Sequence, residues 1–125
     1  MMVHRYIFRV VTLCALLLSA YAAPVTAQDD YYRRKAKEYQ READYYLKRA
    51  DSYYSEADYH LKRAENYQRE AEYYTRRGDS DRAQTNMRYA EAEMERYEQQ
   101  LRYARDAEER AATYFQWAAN ALHRH

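Results

Sequence analysis

Alanine recurs every seven residues along most of the chain, and this period constrains the fold more than any other feature. In the first half the repeating residues are Ala36, Ala43, Ala50, Ala57, Ala64 and Ala71, and tyrosine follows each by three positions except at His60. A seven-residue period with contact residues at its first and fourth positions is the seam of a supercoiled helix. Good helix formers fill most other positions. The pattern predicts an all-α protein with Ala/Tyr heptads.

The second half keeps the period but replaces tyrosine with aliphatic residues. One row is Ala83, Ala90, Ala104, Ala111 and Ala118, with Tyr97 as its exception; the other is Met87, Met94, Leu101, Phe115 and Leu122, with Glu108 as its exception. A filled core requires large side chains to face small ones. We therefore expect the tyrosine row of the first helix to face the second alanine row. This register places His60 and Tyr97 in one core layer, joined by a hydrogen bond.

A single break separates the two halves. Arg76 and Arg77 suit a helix C-terminus, Gly78 suits the left-handed position that follows, and Asp79 or Ser80 suits the cap of a new helix. The chain is expected to form a helix over about 30–77, a turn over about 78–80 and a helix over about 80–122. Because the turn is short, the helices form an antiparallel coiled-coil hairpin. One glycine and one proline are too few for a many-stranded β fold.

The first 27 residues have the pattern of a cleaved signal peptide. A short basic start precedes an apolar run from Val10 to Ala23, and Val25-Thr26-Ala27 offers small residues for cleavage. The run is shorter than the roughly 20 residues that a membrane-spanning helix needs, so no stable membrane anchor is expected. Cleavage removes Cys14, the only cysteine. The sequence thus predicts an exported protein, periplasmic or extracellular, whose hairpin domain occupies 28–125 without disulfides.

Aromatic residues also repeat outside the predicted seam, at intervals of 14 residues. Tyr31, Tyr45, Tyr59 and Tyr73 form one ladder, and Tyr89, Tyr103 and Trp117 form another. A two-helix hairpin buries little surface by itself, and exposed aromatic ladders indicate a second packing surface. We expect a homo-oligomer, either a four-helix bundle or a higher assembly.

Candidate chemistry is sparse. The sequence contains no catalytic or cofactor-binding motif, so neither an enzyme nor a cofactor is predicted. The 21 basic and 20 acidic residues give no field that would attract nucleic acid. His60, His123 and His125 are weak candidates for metal ligands. Arg77-Gly78-Asp79 is the tripeptide that integrins recognise, but the same residues also suit a helix stop and start.

These observations favour an exported structural or interaction protein of the cell envelope or extracellular space, which assembles through its tyrosine-rich faces. One alternative is a periplasmic chaperone-like or metal-binding helical protein that holds a protein client. Another is a matrix precursor whose tyrosines become cross-linked. The three hypotheses differ in what the aromatic ladders contact.

Overall fold

The computed structural model describes residues 26–123, and within them the chain forms two long α-helices. Helix α1 spans Ala27–Arg76 and helix α2 spans Ser80–Leu122. The two pack against each other along their length as an antiparallel hairpin. At ~1.5 Å per residue they are rods of roughly 75 and 65 Å. The predicted all-α hairpin is confirmed, although α1 begins about three residues earlier than expected. Most of the predicted signal peptide, residues 1–25, lies outside the described residues.

The start of α1 is fixed by a reciprocal pair of hydrogen bonds. The backbone N–H of Asp29 donates to the Thr26 hydroxyl at 3.2 Å, and the backbone N–H of Thr26 donates to the Asp29 carboxylate at 3.3 Å. This capping box satisfies two backbone donors that the first turn leaves free. Asp29 and Asp30 also place negative charge at the positive end of the helix dipole. Cleavage after Ala27 would remove Thr26 and with it this cap.

The turn between the helices uses glycine for its backbone conformation. Gly78 has a φ of 75°, which is in the left-handed region. The N–H of Gly78 donates to Thr75 O at 3.1 Å, and the N–H of Asp79 donates to Tyr74 O at 3.0 Å. These two bonds are the Schellman motif that ends many helices. The Asp79 carboxylate then accepts from the backbone N–H of Arg82 at 3.1 Å and caps α2.

Alanine supplies almost the whole buried core. Among residues 26–123, thirteen alanines are at most 8% exposed, and the one other buried residue is Glu93. They are Ala36, Ala43, Ala50, Ala57, Ala64 and Ala71 in α1, and Ala83, Ala90, Ala104, Ala107, Ala111, Ala118 and Ala121 in α2. No large side chain of the described residues is fully buried. The seam between the helices is therefore narrow, and larger residues lie at its sides.

Contacts across the seam define the register. Tyr39 packs against a cluster formed by Ala36, Ala118 and Ala121. The ring of Tyr53 lies 5.5 Å from that of Tyr103, and the same kind of contact joins Tyr67 to Tyr89. The tyrosine row of α1 thus packs beside the alanine row of α2, in the register that the side-chain sizes predict. His60 and Tyr97 are both half-buried.

The prediction that the aliphatic row of α2 packs in the seam holds only in part. Met94 and Leu101 are half-buried, whereas Met87, Phe115 and Leu122 are 41–44% exposed and lie at the side of the seam. The second contact row lies one residue earlier and contains the buried Glu93, Ala107 and Ala121. The physical reason is the rotation of α2. Its row Tyr89, Tyr103 and Trp117 turns toward the tyrosine rings of α1, and this leaves the aliphatic row on the opposite flank.

Gly78→Ala tests the backbone requirement of the turn. A Cβ at this position would meet no atom within 4 Å, so the cost comes from the positive φ alone. We expect the free energy of unfolding to fall by about 1 kcal/mol, as is usual for a non-glycine residue in the left-handed region. Urea titration followed by circular dichroism measures it. Ser80→Ala is the control, and an equal loss in both variants would contradict the account.

Candidate interaction surfaces

The two aromatic ladders lie on the same side of the hairpin. They form what we call the aromatic face, whose members are Tyr31, Tyr45, Tyr59, Tyr73, Tyr89, Tyr103 and Trp117. Each is 42–53% exposed. A chain of contacts connects the two helices across this face: Arg49 bonds both Tyr45 and Tyr53, and the ring of Tyr53 contacts Tyr103. The sequence predicted the exposure of these residues; their shared face follows from the register.

Basic side chains stack between the tyrosines of this face at every second heptad. Arg49 donates to Tyr45 Oη at 3.0 Å and to Tyr53 Oη at 2.7 Å, and its guanidinium lies over both rings. Arg63 does the same with Tyr59 and Tyr67. These contacts combine hydrogen bonds with cation–π attraction. The α1 rings of the aromatic face thus each contact a charged group that water can also solvate.

Two shallow grooves lie between these rings. The first has a volume of about 350 Å³ and is lined by Tyr45, Tyr46, Arg49, Tyr53, Tyr103, Asp106, Ala107 and Arg110. The second, near the open end of the hairpin, has about 470 Å³ and is lined by Tyr31, Tyr32, Lys35, Tyr39, Trp117, Asn120 and Ala121. Each has an alanine of the second contact row of α2 at its base. Both grooves are open to solvent.

The opposite flank of the seam is aliphatic. The residues of this aliphatic edge are Leu47, Tyr54 and Leu61 in α1, with Met87, Met94, Leu101, Phe115 and Leu122 in α2. Every leucine and methionine after residue 27 belongs to it. Glu108 occupies the remaining position in the row of α2, and interaction with its carboxylate raises the pKa of Tyr54 on α1.

A polar cluster lies in the middle of the seam around Glu93. This residue is 3% exposed. Its Oε2 is 2.6 Å from His60 Nδ1, and its Oε1 accepts from Arg96 at 3.0 Å. Arg63 Nε, itself buried, lies 3.2 Å from Oε1 in an ion pair rather than a hydrogen bond. Burial raises the pKa of Glu93, but His60 and the two guanidinium groups outweigh burial and hold it below its ordinary value.

The cluster corrects the expected partner of His60. The structure gives His60 a hydrogen bond to Glu93 and not to Tyr97. A carboxylate is a stronger acceptor than a phenol, and Glu93 sits on the contact row adjacent to His60. Sequence reasoning missed Glu93, although it follows Ala90 by three residues, the same spacing that places tyrosine after alanine in α1.

The candidate metal ligands are not brought together. His60 lies in the middle of the seam, whereas His123 is exposed at the C-terminal end of α2, and His125 lies outside the described residues. Over residues 26–123, no three side chains of His, Cys, Asp or Glu are grouped so that they could hold a metal ion. The ring nitrogen Nδ1 of His60 is already engaged by Glu93.

At the hairpin tip, both charged side chains of Arg77-Gly78-Asp79 are engaged in the turn. The guanidinium of Arg77 lies 4.7 Å from the centre of the Tyr73 ring. The Asp79 carboxylate caps α2 and also forms an ion pair with Arg82 at 3.5 Å. The tripeptide therefore has a structural role in ending one helix and starting the next.

Comparison of the chain with protein-family models, with curated proteins and with solved structures finds no match. Over the part that the structure describes, neither helix has a stretch long and apolar enough to cross a membrane. The aromatic face, the aliphatic edge and the Glu93 cluster are therefore the features from which a function is inferred.

Glu93→Gln tests the polar cluster. We expect a loss of about 1–3 kcal/mol of stability near neutral pH, because His60, Arg63 and Arg96 lose their charged partner in the seam. The pKa of Glu93 is lowered in the folded state, so its ionised form stabilises the fold fully above its ordinary value of 4.5. This contribution disappears as the pH falls through the folded-state value. The difference in the free energy of unfolding between the variant and the parent should therefore be smaller at about pH 3 than near neutral pH.

Urea midpoints at the two pH values measure this difference. Glu91→Gln, which changes an exposed carboxylate of the same helix, is the matched control and should have little effect at either pH. A difference between Glu93→Gln and the parent that does not change with pH would show that the carboxylate is not stabilised as described.

Proposed function

We propose that this is an exported structural protein whose hairpins pair through the aliphatic edge into a four-helix bundle and present the aromatic face outward. One observation carries the proposal: every leucine and methionine after residue 27 lies on that edge, and none is buried. A chain with so few large aliphatic residues gains little from leaving all of them at least partly open to water. The placement is explained if a partner covers the edge.

The aliphatic edge and the aromatic face differ in how well water can solvate them. Leu47, Tyr54, Met87, Phe115 and Leu122 are 40–44% exposed, and four of them have no group that forms a strong hydrogen bond. An exposed apolar stripe of this kind usually marks an interaction site. Six of the seven rings of the aromatic face instead carry a hydroxyl group, and those of Tyr45 and Tyr59 accept from arginine. The edge is therefore the surface that most requires cover.

A second copy of the chain is the partner that fits best. From Met87 to Leu122 the edge runs for about 50 Å, so its partner must be another long and straight element. A second hairpin offers an edge of the same length, and Glu108, which interrupts it, interacts with Tyr54 of its own copy. Eight large side chains on each copy supply several hundred Å² of apolar surface, a major part of the ~800 Å² per partner of a standard interface.

Pairing would also correct the weakness of the isolated hairpin. Its seam buries mainly the methyl groups of alanine, and no large side chain of the described residues is fully buried there. Since hydrophobic stabilisation scales with the apolar area removed from water, such a seam contributes little for its length. Joining two aliphatic edges adds leucine, methionine and phenylalanine to a common core. Export, which the leader predicts, would then place a rod with outward tyrosines in the envelope or extracellular space.

Size-exclusion chromatography with light scattering tests the proposal. The edge variant carries Leu61→Gln, Met87→Gln, Leu101→Gln and Phe115→Gln. We expect the parent to elute as a dimer or a multiple of it and the edge variant as a monomer that is less stable but still helical by circular dichroism. Aromatics and aliphatics at the centre of an interface contribute most of its affinity, so four changes should suffice.

The matched control removes four side chains from the other surface, with Tyr31→Gln, Tyr45→Gln, Tyr59→Gln and Tyr73→Gln. It should keep the size of the parent. A monomeric parent would overturn the proposal and favour a chaperone-like protein that holds a client. Dissociation of the tyrosine variant, with the edge variant intact, would instead assign assembly to the aromatic face.

A further inference from the structure

Tyrosine rings from the two helices meet at two equivalent places on the aromatic side of the seam. The ring centres of Tyr53 and Tyr103 are 5.5 Å apart with an angle of 53° between planes. Those of Tyr67 and Tyr89 are 5.3 Å apart with an angle of 51°. The second pair lies 14 residues from the first on both helices, so the repeat reproduces the same geometry. At these distances the ring edges are in van der Waals contact.

Hydrogen bonds hold three of these four rings in place. Arg49 donates to Tyr53 Oη at 2.7 Å, and Arg63 donates to Tyr67 Oη at 3.3 Å. Gln99 donates to Tyr103 Oη at 2.8 Å. Tyr89 and Tyr103 are also among the exposed side chains, so a reagent in solvent can reach one ring of each pair. Each pair therefore combines fixed contact between two phenols with access from outside.

We propose that Tyr53–Tyr103 and Tyr67–Tyr89 are sites of oxidative cross-linking, at which a one-electron oxidant of the peroxidase type joins the two helices through dityrosine. Each phenol loses one electron and one proton to give a phenoxyl radical. The two radicals combine through the ring carbons ortho to their oxygens, and each of these carbons then loses its hydrogen as a proton while each oxygen regains one. Two phenols and one hydrogen peroxide thus give one dityrosine and two waters.

Other close tyrosine pairs fit this chemistry less well. Tyr45 and Tyr46 are neighbours on one helix, where successive side chains point about 100° apart, so their bond would strain the helix and tie nothing together. Tyr46 and Tyr114 are stacked across the seam at 5.7 Å, but both are half-buried and less open to a reagent. The selected pairs are the ones that are in contact across the helices and exposed on one side.

A bond at either site would close a covalent loop through the hairpin turn. Such a loop restricts the unfolded chain and stabilises the folded state in the same way as a disulfide. The mature chain as predicted has no cysteine. In an oxidising compartment, dityrosine would therefore supply the covalent cross-link between the helices that this chain cannot form as a disulfide.

The test treats dilute protein with a haem peroxidase and hydrogen peroxide. We expect blue dityrosine fluorescence, a band that stays at the size of one chain in a denaturing gel, and a mass lower by two hydrogens for each bond. Mass spectrometry of the digested protein should find the peptide of Tyr53 joined to that of Tyr103, and the peptide of Tyr67 joined to that of Tyr89. The melting temperature should rise after treatment.

The double variant Tyr89→Phe, Tyr103→Phe should lose both cross-helix peptides and the rise in melting temperature. The control Tyr59→Phe, Tyr73→Phe removes two equally exposed tyrosines whose described ring contacts lie on their own helix, and it should keep both. Cross-links found only between chains, or cross-helix peptides that survive in the first variant, would overturn the proposal.

Discussion

The contact between two rows of alanine is the constraint on which the other features of this hairpin depend. A methyl group allows the two backbones to approach closely, and among residues 26–123 the one side chain larger than alanine that the seam buries is that of Glu93. Tyrosine, leucine, methionine and phenylalanine are therefore displaced to the sides of the seam. Because α2 is rotated by its ring contacts with α1, the aromatic residues collect on one side and the aliphatic residues on the other.

The same narrow seam explains the polar cluster at its centre. Where His60 replaces tyrosine in α1, the adjacent position of α2 holds Glu93. A buried carboxylate is costly unless its partners are supplied. Arg63 and Arg96 provide them, and Arg63 also stacks on the tyrosines of the aromatic face. One arginine thus links the interior of the seam to the surface.

Much of this fold could be predicted from the sequence, because its determinants are local. The alanine period defines both helices, and Gly78 with Asp79 defines the turn. The second contact row of α2 could not be predicted, because the row that begins at Asn86 and the row that begins at Met87 both repeat every seven residues. Hydrophobicity alone favours the row of Met87. The ring contacts that decide between them depend on the packing of the other helix. The bond between His60 and Glu93 was missed for the same reason, and the predicted role of the ladders in assembly stays a prediction.

We propose that the alanine seam leaves the aliphatic edge for a second copy of the chain. Isotope-filtered NMR on a mixture of labelled and unlabelled protein tests it most directly, because this spectrum detects only contacts between copies. We expect intermolecular signals from the methyl groups of Met87, Leu101 and Leu122, and none from the ring protons of Tyr31 and Tyr59. Intermolecular signals confined to the aromatic face, or a spectrum without any, would contradict it.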